Sequence, residues 1–269
     1  MPITLRNSPI VELIAEVRWD ISAQPLVGAP PGAPMGVVSN PAEWEALFMR
    51  FIGPAHQAGY PQIERLVPTG FPLFAHQPVF RFRPQDGKGL LLQIGPGILT
   101  VNATPPYKTW DDFAPEIVKG LEALFIARGE ADNQVPFSTL SLRYIDAFDE
   151  SLTQRADIAE FLRNVFKIEV LLPEAITKYA RPNAAIKPSL QVQVPMPEDR
   201  MLSMGIGEGI ANNNPAFVVD TLISVLKPTQ PVIDEVMIEL GSARAVIHEM
   251  FFALTLPIIE LMQPEGVDE

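Results

Sequence analysis

Cysteine is absent from the 269 residues. Its absence excludes disulfides, thiolate metal sites and cysteine nucleophiles, and suits a reducing compartment. Histidine is scarce: there are three, His56, His76 and His248. None has a second ligand at metal spacing on a shared element, apart from the adjacent Glu249. In His248-Glu-Met-Phe-Phe252 a phenylalanine holds the place of a zinc protease's second histidine, so that motif is broken. Basic charge is in deficit, with 20 Lys and Arg against 32 Asp and Glu and a formal charge of −12. Such a surface repels polyphosphate and disfavours nucleic acid. Long apolar runs are missing too. Met250 to Met262 is interrupted by Pro257 and Glu260 and is too short to span a bilayer. Met1 to Pro9 lacks the basic-then-apolar layout of a signal peptide. A cytoplasmic protein without a membrane segment is the expectation. No phosphate-binding loop and no G-x-S-x-G elbow occurs, and no cofactor is implied.

What is present is ordinary globular material, 47% apolar and 19% charged, with enough chain for a substantial core. Two stretches organise it. Val11-Glu-Leu-Ile-Ala-Glu-Val-Arg-Trp-Asp20 alternates, with Val11, Leu13, Ala15, Val17 and Trp19 on one face and Glu12, Ile14, Glu16 and Arg18 on the other. Ser138 to Phe148 alternates likewise. Both carry an apolar–Arg–aromatic core, Val17-Arg18-Trp19 and Leu142-Arg143-Tyr144, placed 125 positions apart. This pattern predicts two strands, each with one face in the core.

The elements between them repeat in kind. Residues 23–39 read as an irregular connection. Asn40-Pro41-Ala42-Glu43 predicts a helix start, with Asn40 as the cap and Trp44, Leu47, Phe48, Phe51, Ile52 and Ala55 as the buried stripe. Strands are predicted at Val79–Arg83, Leu90–Ile94 and Ile98–Ala103, joined by glycine-bearing turns. Thr109 caps a second helix, whose Trp110, Phe113, Ile117 and Leu121 are expected in the core. After Arg143 come a helix opened by Asp157, a proline-punctuated connection over 170–188, and strands at Leu190–Val194, Met201–Ile206 and Phe217–Val225. Gly207–Pro215 reads as a loop. A final helix runs from Ile233 until Pro257 kinks or ends it.

Each half therefore reads β-α-β-β-β-α. The fold class is α+β: two pseudo-repeats, 1–135 and 136–269, in a single domain, form a largely antiparallel sheet with helices on one face.

Gly205-Ile-Gly-Glu-Gly209 lacks the strand–glycine–helix setting of a dinucleotide cradle and reads as a hairpin. The adjacent pairs Asp111/Asp112 and Asp149/Glu150 read as helix starts or turns. The candidate binding residues are Arg18, Arg81, Arg83 and Arg143, all on strands opposite the apolar positions. They are expected on the helix-free face, where they could hold an anionic ligand or an acidic partner. Ion pairing within the sheet is the competing role. Glu16 is placed to neutralise Arg18. Arg143 has only Thr139, Ser141 and Ile145 as same-face neighbours on its strand, which makes it the better candidate for an external anion.

Asn7-Ser-Pro-Ile-Val-Glu12, Glu16-Val-Arg18, Tyr107-Lys-Thr-Trp110-Asp-Asp-Phe113, Leu142-Arg-Tyr-Ile-Asp146 and Ile247-His248 with Phe251 or Phe252 together resemble a sporadically distributed bacterial family of uncharacterised proteins of similar length. The resemblance spans nearly the whole chain. The chain departs from the family pattern at Asp146, where Asn is usual. The resemblance implies the same architecture, a bacterial cytoplasmic setting and an accessory role, and brings no activity with it.

The leading expectation is a non-enzymatic binding or protein-interaction module, with an unknown protein or a small anionic ligand as partner. The alternative is a small-ligand protein with a pocket between sheet and helices, lined by Trp19, Phe80, Phe82 and Met204. Enzyme chemistry by Arg and carboxylates is a third reading, with no positive feature behind it. Exposed sheet edges and a long apolar last helix add the expectation of a two-fold homodimer.

Overall fold

The computed structural model describes residues 4–25, 36–87, 89–105, 109–181 and 185–265. Tyr107 and Lys88 fall outside them. In chain order the first half holds β1 (Thr4–Leu5), β2 (Ile10–Trp19), β3 (Ala23–Pro25), β4 (Gly36–Val38), α1 (Pro41–Gln57), β5 (Gln62–Arg65), β6 (Phe80–Arg83), β7 (Leu90–Gly95), β8 (Ile98–Ala103) and α2 (Trp110–Asp132). The second half holds β9 (Phe137–Phe148), α3 (Glu150–Thr153), α4 (Ile158–Asn164), α5 (Glu174–Thr177), β10 (Leu190–Met196), β11 (Arg200–Ala211), β12 (Asn214–Val225) and α6 (Ile233–Thr255). A 3₁₀ segment at Leu256–Met262 and β13 (Pro264–Glu265) close it. The fold is α+β.

Nine strands form one antiparallel sheet in the order β10-β11-β12-β9-β2-β8-β7-β6-β5. The two organising strands lie side by side at its centre, with Ile14 opposite Arg143 and Arg18 opposite Thr139. Outward from this seam the first half runs β2, β8, β7, β6 and the second runs β9, β12, β11, β10. On each side the first strand of the half is innermost, and the others follow in reverse chain order. β5, outside β6, has no counterpart beyond β10 among the described residues. Its Gln-Ile-Glu-Arg sequence has one apolar residue, the exposed Ile63, so periodicity gives no sign of it.

One sheet face is buried. Leu13, Ala15, Val17 and Trp19 of β2 and Leu140 and Leu142 of β9 join Phe48, Phe51, Phe113, Leu121, Leu240 and Ile247 from α1, α2 and α6 in one core cluster. A second cluster gathers Phe148, Phe161, Phe166, Ile206 and Val219 at the far end. The opposite face carries the polar alternates. Local signals explain most helix ends. Thr109 caps α2 and closes a capping box with Asp112, and Asp157 does the same with Glu160 at α4. Pro257 ends α6 as an α-helix.

Several expectations are corrected. Asn40 makes no cap bond to the backbone; its Nδ2 donates to Glu43 Oε2 at 3.3 Å. Gly207–Pro215 is mostly strand. β11 and β12 continue to a two-residue turn at Asn212 and Asn213, whose φ angles of 50° and 64° suit asparagine in a tight hairpin. Residues 23–39 contain the β3–β4 pair. Trp110 is only half-buried, while Phe113, Ile117 and Leu121 are fully buried. The final helix starts at Ile233 as expected, but the apolar run is longer than Met250 to Met262: by length and composition Ile233–Met262 is apolar enough to cross a membrane, with 22% of its most apolar stretch buried. Val236, Leu240, Ala243 and Ile247 hold it on the sheet.

Gly120 lets α2 lie close on the sheet. A Cβ there would stand 2.9 Å from Val101 Cγ2 and 3.2 Å from Leu92 Cδ2. Gly120→Leu therefore overpacks this contact and lowers stability by about 1–3 kcal/mol, measurable by urea unfolding.

Candidate functional site: the open sheet face and the Asp146 cavity

All four candidate arginines stand on the open face. Arg143 is opposite Ile14, two residues from Glu16 and four from Arg18 on the outward side of β2. Arg81 is opposite Gln93, and Arg83 opposite Gln62. Arg18 and Arg143 thus share a face, as the echoed motifs imply.

Each is paired. Arg18 Nε lies 2.6 Å from Glu16 Oε1, a contact whose angle falls outside hydrogen-bond geometry. Arg81 Nη1 donates to Glu64 Oε2 at 3.3 Å, and Arg83 Nη2 stands 3.8 Å from the same oxygen. With the Gln93 amide oriented to match, Gln93 Oε1 accepts from Arg81 Nε at 3.0 Å. Arg143 is bidentate to Asp220 on β12: Nε donates to Oδ1 at 2.7 Å and Nη2 to Oδ2. The Asp220 bond, with Glu12 and Glu16 nearby, raises the Arg143 pKa against the opposing effect of burial. Arg143 is therefore not short of an internal carboxylate. Its partner lies diagonally across the neighbouring strand, where sequence neighbours on β9 give no hint of it. Between the arginines, Thr100 Oγ1 donates to Asn102 Oδ1 (2.9 Å), and Asn102 Nδ2 donates to Glu12 Oε1 (2.8 Å). Polar bonds thus run across the face from β5 to β2, and the Arg143–Asp220 pair adds a separate link between β9 and β12.

The buried face holds a feature that charge pattern alone does not reveal. Asp146 of β9 is 5% exposed, points to the helix side opposite Val219, and its carboxyl has no hydrogen-bond partner among the described residues. It lines a cavity of about 20 Å³ with Thr221, Phe148, Ile247, Phe251 and Thr255, where α6 bridges the two core clusters. Burial without a compensating donor pushes its pKa up to about 7. The cavity has room for a water.

Two further arginines, Arg200 largely enclosed and Arg128 buried, have no signature in the sequence pattern. Arg200 of β11 bonds Glu239 Oε2 (2.7 Å) and Ser242 Oγ (2.8 Å) on α6. Burial raises the Glu239 pKa, but hydrogen bonds from Lys227 and Arg200 outweigh it and hold the carboxyl low. Arg128 lies between Trp19 and Phe137, 5.0 and 5.4 Å from the ring centres, and donates to the Asp132 and Val135 carbonyls where α2 breaks at Gly129.

The aromatic pocket expected from Trp19, Phe80, Phe82 and Met204 is not formed. The first three are packed in one core cluster and Met204 in the other. Among the described residues no three His, Asp or Glu side chains group to hold a metal ion. His248 packs on Phe252 at 4.7 Å, its pKa lowered by burial and by Arg244.

No family model and no curated protein matches the sequence. Among solved structures, the chain aligns with the di-domain ARO/CYC StfQ from the steffimycin biosynthetic pathway. That alignment has 10% identity over 94% of this chain and 97% of that one, with a TM-score of 0.19. Likeness at that level establishes neither fold nor function.

Proposed function

We propose that the protein is a non-enzymatic interaction module that receives a protein partner on the open sheet face. The observation behind this reading is the set of four strand-borne arginines on one helix-free surface, each beside a carboxylate of its own chain. Their side chains remain 27–45% exposed. Ion pairs at such exposure are worth only about 0–1 kcal/mol each, so a partner's charged groups can exchange into them at little cost. Pairing also keeps the guanidinium groups aimed before contact, which lowers the ordering cost of binding.

The test compares partner capture by wild type, by Arg81→Glu/Arg143→Glu, and by Lys119→Glu on the helix side. Loss of one captured protein by tenfold or more on the double reversal, with retention on the control and falling capture as salt rises, supports the reading. Equal retention on all three proteins rejects it.

The Asp146 cavity favours a second reading, a small-ligand protein. A metabolite site needs several hundred Å³, so this reading requires α6 to move away from β9 and β12. Ligand-dependent loss of hydrogen-exchange protection along α6 is its test.

A further inference from the structure

We propose that the outer edge of β10 is a homodimer interface, at which β10 pairs antiparallel with β10 of a second copy about a two-fold axis at Val192.

The two half-sheets run outward from the seam in matching order. β10 occupies the place that β6 holds on the other side of the seam. β6 is covered twice. β5 pairs with its outer edge, and α1 packs on its apolar face, with Phe48 and Phe80 rings 5.5 Å apart and Phe51 and Phe82 rings 5.1 Å apart. β10 has neither cover. No strand lies beyond it among the described residues, and Val192 and Val194 on its helix-side face are 38% and 43% exposed.

Edge chemistry separates the two ends of the sheet. β5 is four residues long and carries Glu64 and Arg65, the short charged strand that resists further pairing. β10 is seven residues long, Leu-Gln-Val-Gln-Val-Pro-Met, without a charge. In a chain of formal charge −12, contact between copies needs an uncharged patch, and this edge is one.

The strand also complements itself. An axis at Val192 sets Val192 against its copy, Gln191 against Gln193 of the second copy, and Leu190 against Val194 of the second copy. Apolar residues then meet on the helix side and glutamine amides on the open side. Pro195, which cannot donate to a ladder, stands outside this five-residue span. The connection before β10 adds exposed apolar residues: Leu171, Ile176 and Tyr179 are 80%, 54% and 80% exposed, and α5 has no buried residue. Such an interface is isologous and closes as a dimer.

Light scattering at micromolar concentration should give twice the 29.6 kDa chain mass. Val192→Lys/Val194→Lys should give the monomer mass, whereas Ile63→Lys on the β5 edge should leave the dimer intact. Because the chain has no cysteine, a single Val192→Cys carries one thiol. Under oxidation it should run as a covalent dimer on a non-reducing gel, and Ile63→Cys should not. A monomeric wild type overturns the proposal. So does a dimer that survives the double lysine change, or one that Val192→Cys fails to cross-link.

Discussion

Asp146→Asn is expected to stabilise the protein at pH 8 by roughly 3–4 kcal/mol while changing little near pH 4. The carboxyl is buried, lacks a donor, and has its pKa pushed from 3.8 to about 7. The folded state therefore binds a proton that the unfolded state has released once pH exceeds about 4. Stability from this group is fully present below the unfolded value. It falls as pH rises and is gone above about 7, where the folded protein must carry a buried carboxylate. An asparagine side chain at this position cannot ionise and keeps the same shape, so the variant escapes the loss. Other carboxylates, such as the hydrogen-bonded Glu45 and Glu239, act in the opposite sense, but they are common to both proteins and cancel in the comparison. Urea unfolding of wild type and variant across pH 4.5–8.5 measures the difference. Parallel stability curves would show that Asp146 keeps its charge through contacts other than those described.

The sheet is legible in the sequence because β2 and the middle of β9 alternate and carry the same Arg-aromatic core, although register shifts at Ile10/Glu12 and Arg18/Trp19 break the pattern at both ends of their pairing. The faces of Arg18 and Arg143 follow from that alternation alone. Partners across the sheet do not follow, since register between distant strands is set by packing rather than by local spacing. Asp220 is 77 residues from Arg143 in sequence, and nothing near either residue announces the pair. Asp146 is hidden for a related reason. On a strict alternation after Tyr144 it falls on the core face, where a charged residue type is ordinarily excluded. Only the cavity beneath α6 shows how the sheet accommodates it. β5 escapes notice because an edge strand needs few apolar residues, and the Asn212–Asn213 turn because the glycines before it read as loop rather than strand.

Phe113→Ala is expected to cost about 3–5 kcal/mol, more than Trp110→Ala, although tryptophan is the larger side chain. The capping box between Thr109 and Asp112 fixes where α2 begins, and so fixes which residues of its first turn face the sheet. Phe113 falls on the stripe with Ile117 and Leu121 and is 0% exposed. Trp110, one turn earlier, only packs against the edge of the cluster, with its ring 6.1 Å from that of Phe113 in an edge-on contact. Removing Phe113 opens a cavity beneath the helix that carries Gly120 against Val101, and α2 cannot sink to fill it because Gly120 is already in close approach. Removing Trp110 exposes part of a surface that water already reaches, at a cost of about 1–2 kcal/mol. The order of the two losses in urea unfolding is the discriminating result. A Trp110→Ala protein destabilised as much as Phe113→Ala would place the tryptophan inside the core and shift the start of α2 on the sheet.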